Sequence, residues 1–158
     1  MSIKYYGSLM NRLEEGRTFG EIKVGTGVTQ MSYSDRHPYE VVKVIDDNHL
    51  LIRACDAKRI DKNGESECQE YEYTLRPYKE TLITEELLND VYRMNYIKNT
   101  NPKLYNKIIE GKIGDVIGDN NILLVKTKYG WKERYKNGKY SKDKFAVGFK
   151  EEYYDYSF

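Results

Sequence analysis

The stretch Tyr39-Glu40-Val41-Val42-Lys43-Val44-Ile45 runs into Asp46-Asp47-Asn48 and then into His49-Leu50-Leu51-Ile52-Arg53-Ala54. The first run alternates and is rich in β-branched side chains, the middle three residues favour a turn, and the second run returns. Together they read as a β-hairpin. Upstream, Gly25-Thr26-Gly27 opens a strand over 28–33, and Ser34-Asp35-Arg36-His37-Pro38 reads as a turn, with Pro38 turning His37 away from helix. Downstream, Asn63-Gly64 is a hairpin dipeptide. Gln69, Tyr71, Tyr73 and Leu75 then share one face, and Glu70, Glu72 and Thr74 the other. That period of two marks a half-buried antiparallel strand.

The period changes between about 82 and 112. Thr84 before Glu85-Glu86-Leu87 is a helix start, its hydroxyl a cap and the acids suited to the positive end. Leu87, Leu88, Val91, Tyr92 and Tyr96 follow at helical spacing. Asn101-Pro102 begins a second helix through Leu104, Tyr105, Ile108 and Ile109, stopped by Gly111. This apolar stripe exceeds what a small barrel needs outside its own core, and it predicts either a lid on the barrel or a two-fold dimer contact. Strands resume over 122–129, 131–135 and 145–149, with Asn137-Gly138 as a second hairpin turn. The pattern predicts one α+β domain over 1–158. It has an N-terminal arm at 1–20 anchored by Leu9 and Leu13, a β core at 21–76 and 122–158, and a two-helix insertion at 82–112. The core is expected to be a curved antiparallel sheet or small SH3-like β-barrel. Tyr153, Tyr154, Tyr156 and Phe158 make the C-terminus aromatic, and such a tail is expected to dock.

Composition narrows the function classes. The 158 residues carry 26 Lys or Arg against 25 Asp or Glu, a net +1, which excludes a uniformly cationic coat. No apolar run is long enough to span a membrane, no basic start precedes an apolar stretch, and two cysteines are too few for a disulfide scaffold. A reducing cytoplasm is the expected setting. His37 and His49 lack the local context of a nucleophile's partner, and no HExxH, P-loop or Rossmann fingerprint is present. Cys55 and Cys68 flank the Asn-Gly turn, could face each other across a hairpin, and are expected to be buried thiols rather than zinc ligands. No catalytic residue, metal or cofactor is expected; the chain reads as a binding protein, not an enzyme.

The charges are unevenly placed. Residues 122–144 hold eight bases and two acids, a net +6, interleaved with Tyr129, Trp131, Tyr135 and Tyr140. Residues 60–90 hold three bases and nine acids, a net −6. Bases for phosphate and rings for stacking are what a nucleotide or single strand requires. Pairing of the two oppositely charged runs across the sheet explains the same pattern, and the sequence leaves both open. On the ligand reading, Arg36 in its polar turn forks onto phosphate with Arg59 and Arg134, while Tyr33, Tyr39 and Trp131 supply the stacking face.

The segments Val24-Gly25-Thr26-Gly27-Val28, Ser32-Tyr33-Ser34-Asp35-Arg36, Pro38-Tyr39-Glu40-Val41-Val42, Arg59 to Gly64, Gln69 to Tyr73 and Val147 to Phe158 together resemble a family of small uncharacterised bacteriophage proteins. The resemblance covers roughly 24–76 and 122–158. It implies a phage accessory protein made in the cytoplasm of an infected bacterium. Such a protein would act against host defence without catalysis, by sequestering a nucleotide immune signal. The alternatives are a protein- or nucleic-acid-binding inhibitor of a defence nuclease, as an anti-CRISPR is, or a structural phage component. The implied partners are thus a nucleotide or a host defence protein, with a homodimer in view and no membrane.

Overall fold

The computed structural model describes residues 6–66, 68–117 and 120–156. In chain order the elements are α1 (Ser8–Glu14), β1 (Gly27–Ser32), β2 (Asp35–Asp46), β3 (His49–Arg59), β4 (Tyr71–Leu75), β5 (Thr81–Leu82), α2 (Glu85–Asn89), α3 (Val91–Thr100), α4 (Pro102–Glu110), β6 (Val116–Ile117), β7 (Asn121–Thr127), β8 (Gly130–Arg134) and β9 (Tyr140–Val147). The chain divides into two compact units, Met1–Arg76 with Asn121–Phe158, and Pro77–Asn120. The inserted unit is therefore wider at both ends than 82–112.

The first unit is a closed antiparallel barrel of six strands in the order β2-β1-β9-β8-β7-β3, shut by pairing of β3 with β2, and β4 adds to the outer part of β3. Closure depends on the hairpin that opens the sequence. Beyond Val41 its register shifts twice, between Val41 and Lys43 and between Val44 and Asp46. Such bulges bend a strand and increase its twist. A bent β2 pairs with β1 along its first half and with β3 along its second. The alternating side chains fill the interior: Val28, Val41, Leu50, Ile52, Leu124, Trp131, Phe145 and Val147 are each no more than 1% exposed. These side chains form one buried cluster inside the barrel.

Two local expectations are corrected. The turn falls at Tyr33-Ser34, not across 34–38, and β2 already begins at Asp35 with Pro38 buried inside it. Pairing with β3 starts only at Tyr39, so Pro38 has a strand neighbour on one side alone, the kind of place where proline is tolerated in a sheet. Tyr33 takes the left-handed φ of 50° that the tight turn demands. The N-terminal arm docks, but not through Leu9 and Leu13, which are 68% and 50% exposed. Its anchor is the polar Asn11, 1% exposed, whose amide donates to the carbonyls of Tyr33 and Asp35 at 2.6 and 3.1 Å. The arm then crosses β8 at Gly16 and Gly130, where a Cβ on Gly130 would lie 2.6 Å from the Gly16 Cα.

In the inserted unit β5 pairs with β6, and the helices are punctuated by side-chain caps. Thr84, Asp90 and Asn101 accept from the backbone N–H of Leu87, Arg93 and Leu104. Asp90 splits the first expected helix in two, because its carboxylate starts a new one. Ile83, Leu87 and Ile108 are its buried apolar residues.

Candidate functional site

Arg36 does not stand on a polar rim. It is 2% exposed and enclosed by both chain ends. Its Nε donates to Asn11 Oδ1 at 3.0 Å, Nη1 to Glu151 at 2.9 Å and Nη2 to Glu14 at 3.4 Å. The guanidinium lies 5.2 Å from the Tyr6 ring centroid, and Tyr6 stacks on Tyr153 at 4.1 Å. Burial, with Glu151 nearby, pushes the Tyr6 phenol well above its usual range. The Arg36 backbone exchanges two 3.0 Å hydrogen bonds with Tyr153. Every arm of the fork is engaged internally, so Arg36 is a clasp holding α1 and the C-terminal tail to β2. The sequence expectation of a phosphate fork at this position is corrected on that ground.

The other expected residues separate into core, tail and surface. Trp131 is fully buried and its indole N–H donates to Thr18 at 2.8 Å, which leaves no face for a ligand. Tyr39 packs edge-on against Phe145 and donates to Gln30 at 3.0 Å; burial pushes its phenol up to about 12. Trp131 is therefore corrected from stacking platform to core, and Tyr39 to a half-buried ring packed against that core. Arg59 is bound by Asp61 at 2.8 Å and by the Tyr156 hydroxyl at 3.2 Å, with Nη2 buried and unbonded. The same Arg59 hydrogen bond, with the Glu70 and Asn63 amides, holds the Asp61 carboxyl well below its usual range. Tyr33 is 60% exposed in its turn. Arg134 is exposed at the end of β8, 6.0 Å from the centroid of its cross-strand partner Tyr140. Arg36 and Arg59 are thus drawn to the tail, whereas Arg134 belongs to the barrel's basic strands.

Tail docking is itself well supported at Tyr153, 2% exposed, while Tyr154 and Tyr156 are 49% and 41% exposed; Phe158 lies outside the described residues. Glu152 accepts from His37 Nδ1 at 3.3 Å when that ring nitrogen carries its proton, and the Glu152 backbone N–H donates to the Tyr73 hydroxyl at 2.9 Å. The contact with Glu152 raises the His37 pKa above its usual 6.5, against the opposing effect of burial. Cys55 is buried and Cys68 exposed, both free thiols, and Cys55 pairs in register with Leu75 rather than with Cys68. Among the described residues no cluster of His, Cys, Asp or Glu could hold a metal ion, and no helix is long and apolar enough to cross a membrane.

The charge question has a topological answer. The basic strands pair with one another as β7-β8-β9, while β4, which carries Glu72 of the acidic run, pairs with β3 and sets Glu72 across from Lys58. Lys132 lies directly across from Lys144, a like-charge pair that Glu15 offsets at the Lys144 end. Of the eight bases between 122 and 144, only Lys144 meets a carboxylate among the described residues, Glu15 at 3.8 Å. Neither acid of the run forms an ion pair with its bases among the described residues: Asp143 accepts from Gln30 and Ser32, and burial raises the Glu133 pKa. Rings stand among the bases: Tyr129, Tyr135 and Tyr140 are 63%, 45% and 45% exposed. The ammonium groups of Lys128 and Lys132 lie 5.0 and 5.8 Å from the Tyr129 centroid. Lys126, Lys128, Lys132 and Tyr129 join the site although the sequence reading assigns only Arg134 and Trp131 of this run to the ligand; their signal is a stretch from 122 to 132 with no acid in it.

In the inserted unit, Lys79, Lys103 and Lys107 line a cleft of about 260 Å³ with Glu80, Thr81, Asn101 and Leu104. It is small for an organic ligand, which usually occupies roughly 300–1,000 Å³, and Glu80 sets an acid among its bases. The β7–β9 surface is therefore the better candidate. No protein family, curated protein or solved structure gives a significant match to this chain.

Proposed function

We propose that the protein is a non-enzymatic binder of phosphate-bearing nucleotides, which it holds on the outer surface of β7, β8 and β9. One observation carries this reading: seven of the eight bases between 122 and 144 lack a carboxylate partner among the described residues, and three exposed tyrosines stand among them. Phosphate attracts the bases through charge, and the rings supply faces on which a base stacks. In an infected bacterium, the setting implied by the resemblance to small phage proteins, such a protein would sequester a nucleotide immune signal in the host cytoplasm. The strongly bent, shared strands β2 and β3 support an SH3-like reading of the barrel. A second reading is inhibition of a defence nuclease through the same surface; it is favoured by the spread of bases over three strands rather than around a cavity.

Calorimetry against cyclic and linear nucleotides tests the proposal, repeated with Lys128→Ala, Lys132→Ala and Arg134→Ala. Heat from one nucleotide, lost in the variants, supports sequestration. Silence across the panel, with recovery of a host nuclease in a pull-down that the same variants abolish, favours the inhibitor.

A further inference from the structure

Helix α3 is mostly exposed. None of its ten residues is buried, although it carries Val91, Tyr92, Met94, Tyr96 and Ile97. Met94 and Ile97 turn to the half-buried side, whereas Val91, Tyr92 and Tyr96 are 66%, 90% and 70% exposed. A helix of this length is marginal in water and usually depends on a packed face. The outer face reads Tyr92, Asn95, Tyr96, Asn99, spaced i, i+3, i+4, i+7, so the four lie on one stripe. All four side chains are uncharged, and each both donates and accepts a hydrogen bond. A surface made this way can satisfy a copy of itself.

The charges flanking the stripe set the direction. Exposed Glu85, Glu86 and Asp90 stand before its N-terminal end, with Arg93 the one exposed base there, and exposed Lys98 and Lys103 stand at and beyond its C-terminal end. Two such stripes bring acids opposite bases only when the helices run antiparallel, which is the arrangement of a two-fold axis. We propose that a second copy of this chain covers α3, through an antiparallel α3–α3 contact with Asn95 near the axis. Tyr92 of one copy then lies over Asn99 of the other. This assembly is independent of the nucleotide reading and uses the other unit of the chain.

Light scattering over a wide concentration range should show a dimer. Tyr92→Lys with Tyr96→Lys should raise its dissociation constant by at least about tenfold. Because both side chains are exposed, the variant should keep its far-ultraviolet dichroism. On a Cys68→Ser background, Asn95→Cys should form a disulfide-linked dimer on mild oxidation. A monomer at every concentration overturns the proposal. So does a dimer indifferent to the paired lysines, or one in which Cys at 95 does not cross-link.

Discussion

The barrel and the inserted unit are built by different physics. In the barrel, strands distant in sequence close on one another: β1 pairs with β9, and Val28 packs in the same core as Val147. Its stability resides in side chains at most 1% exposed, gathered from six strands. In the insertion, order is local. Caps at Thr84, Asp90 and Asn101 start each helix, and much apolar surface stays in contact with water. Long-range burial makes a unit intolerant of substitution, whereas local capping makes each helix separately adjustable.

The sharpest test of that contrast pairs two aromatics. Trp131→Ala should destabilise the protein by about 3–5 kcal/mol in urea unfolding, whereas Tyr92→Ala, measured on the monomer, should stay within about 0.5 kcal/mol. Equal losses would break the comparison. Arg36→Ala should cost about 3 kcal/mol, the low end for a broken buried ion pair, because Glu14 and Glu151 keep 25% and 17% of their side-chain exposure. Hydrogen exchange should rise in α1 and in the tail together, since one guanidinium holds both. Thr84→Ala should cost about 1 kcal/mol, the usual loss of a helix cap. It should appear as faster amide exchange in α2 with exchange in β1 and β9 unchanged.

The smallest effect is a titration. The raised His37 pKa means that the native state holds this proton more tightly than the unfolded chain does. The stabilisation is therefore complete below the ordinary histidine pKa and is lost as pH rises through the native value. NMR should place the His37 midpoint above 6.5, and Glu152→Gln should move it down. A midpoint at or below the ordinary value would remove the proposed link between His37 and the tail.

The hairpin around Asp46-Asp47-Asn48 was legible because its alternation matches what is buried: Val41, Leu50 and Ile52 face the core. The same rule made β4 legible, with Tyr71, Tyr73 and Leu75 half-buried and Glu72 and Thr74 exposed. Helix caps were legible at Thr84 and Asn101, where the side-chain oxygen acts within three residues. What failed depended on partners far along the chain. Arg36 read as a turn arginine because nothing local reveals that Asn11, Glu14 and Glu151 converge on it. Trp131 read as a stacking face because its neighbours in sequence are basic, while its neighbours in space are core side chains. The choice between a ligand surface and cross-sheet pairing was hidden for the same reason, since strand order is set by closure of the barrel.

The account's central claim is that the unpaired bases of β7–β9 hold phosphate. The direct measurement is binding of a single-stranded oligonucleotide and of cyclic dinucleotides as a function of salt, for the wild type and for Lys128→Ala/Lys132→Ala/Arg134→Ala. The account predicts that a bound strand's affinity falls steeply with salt, and that removing three phosphate contacts lowers the slope of log K against log salt by about 2. Affinity that is absent from both ligand classes, or that is equal in the two proteins with an unchanged slope, would contradict it.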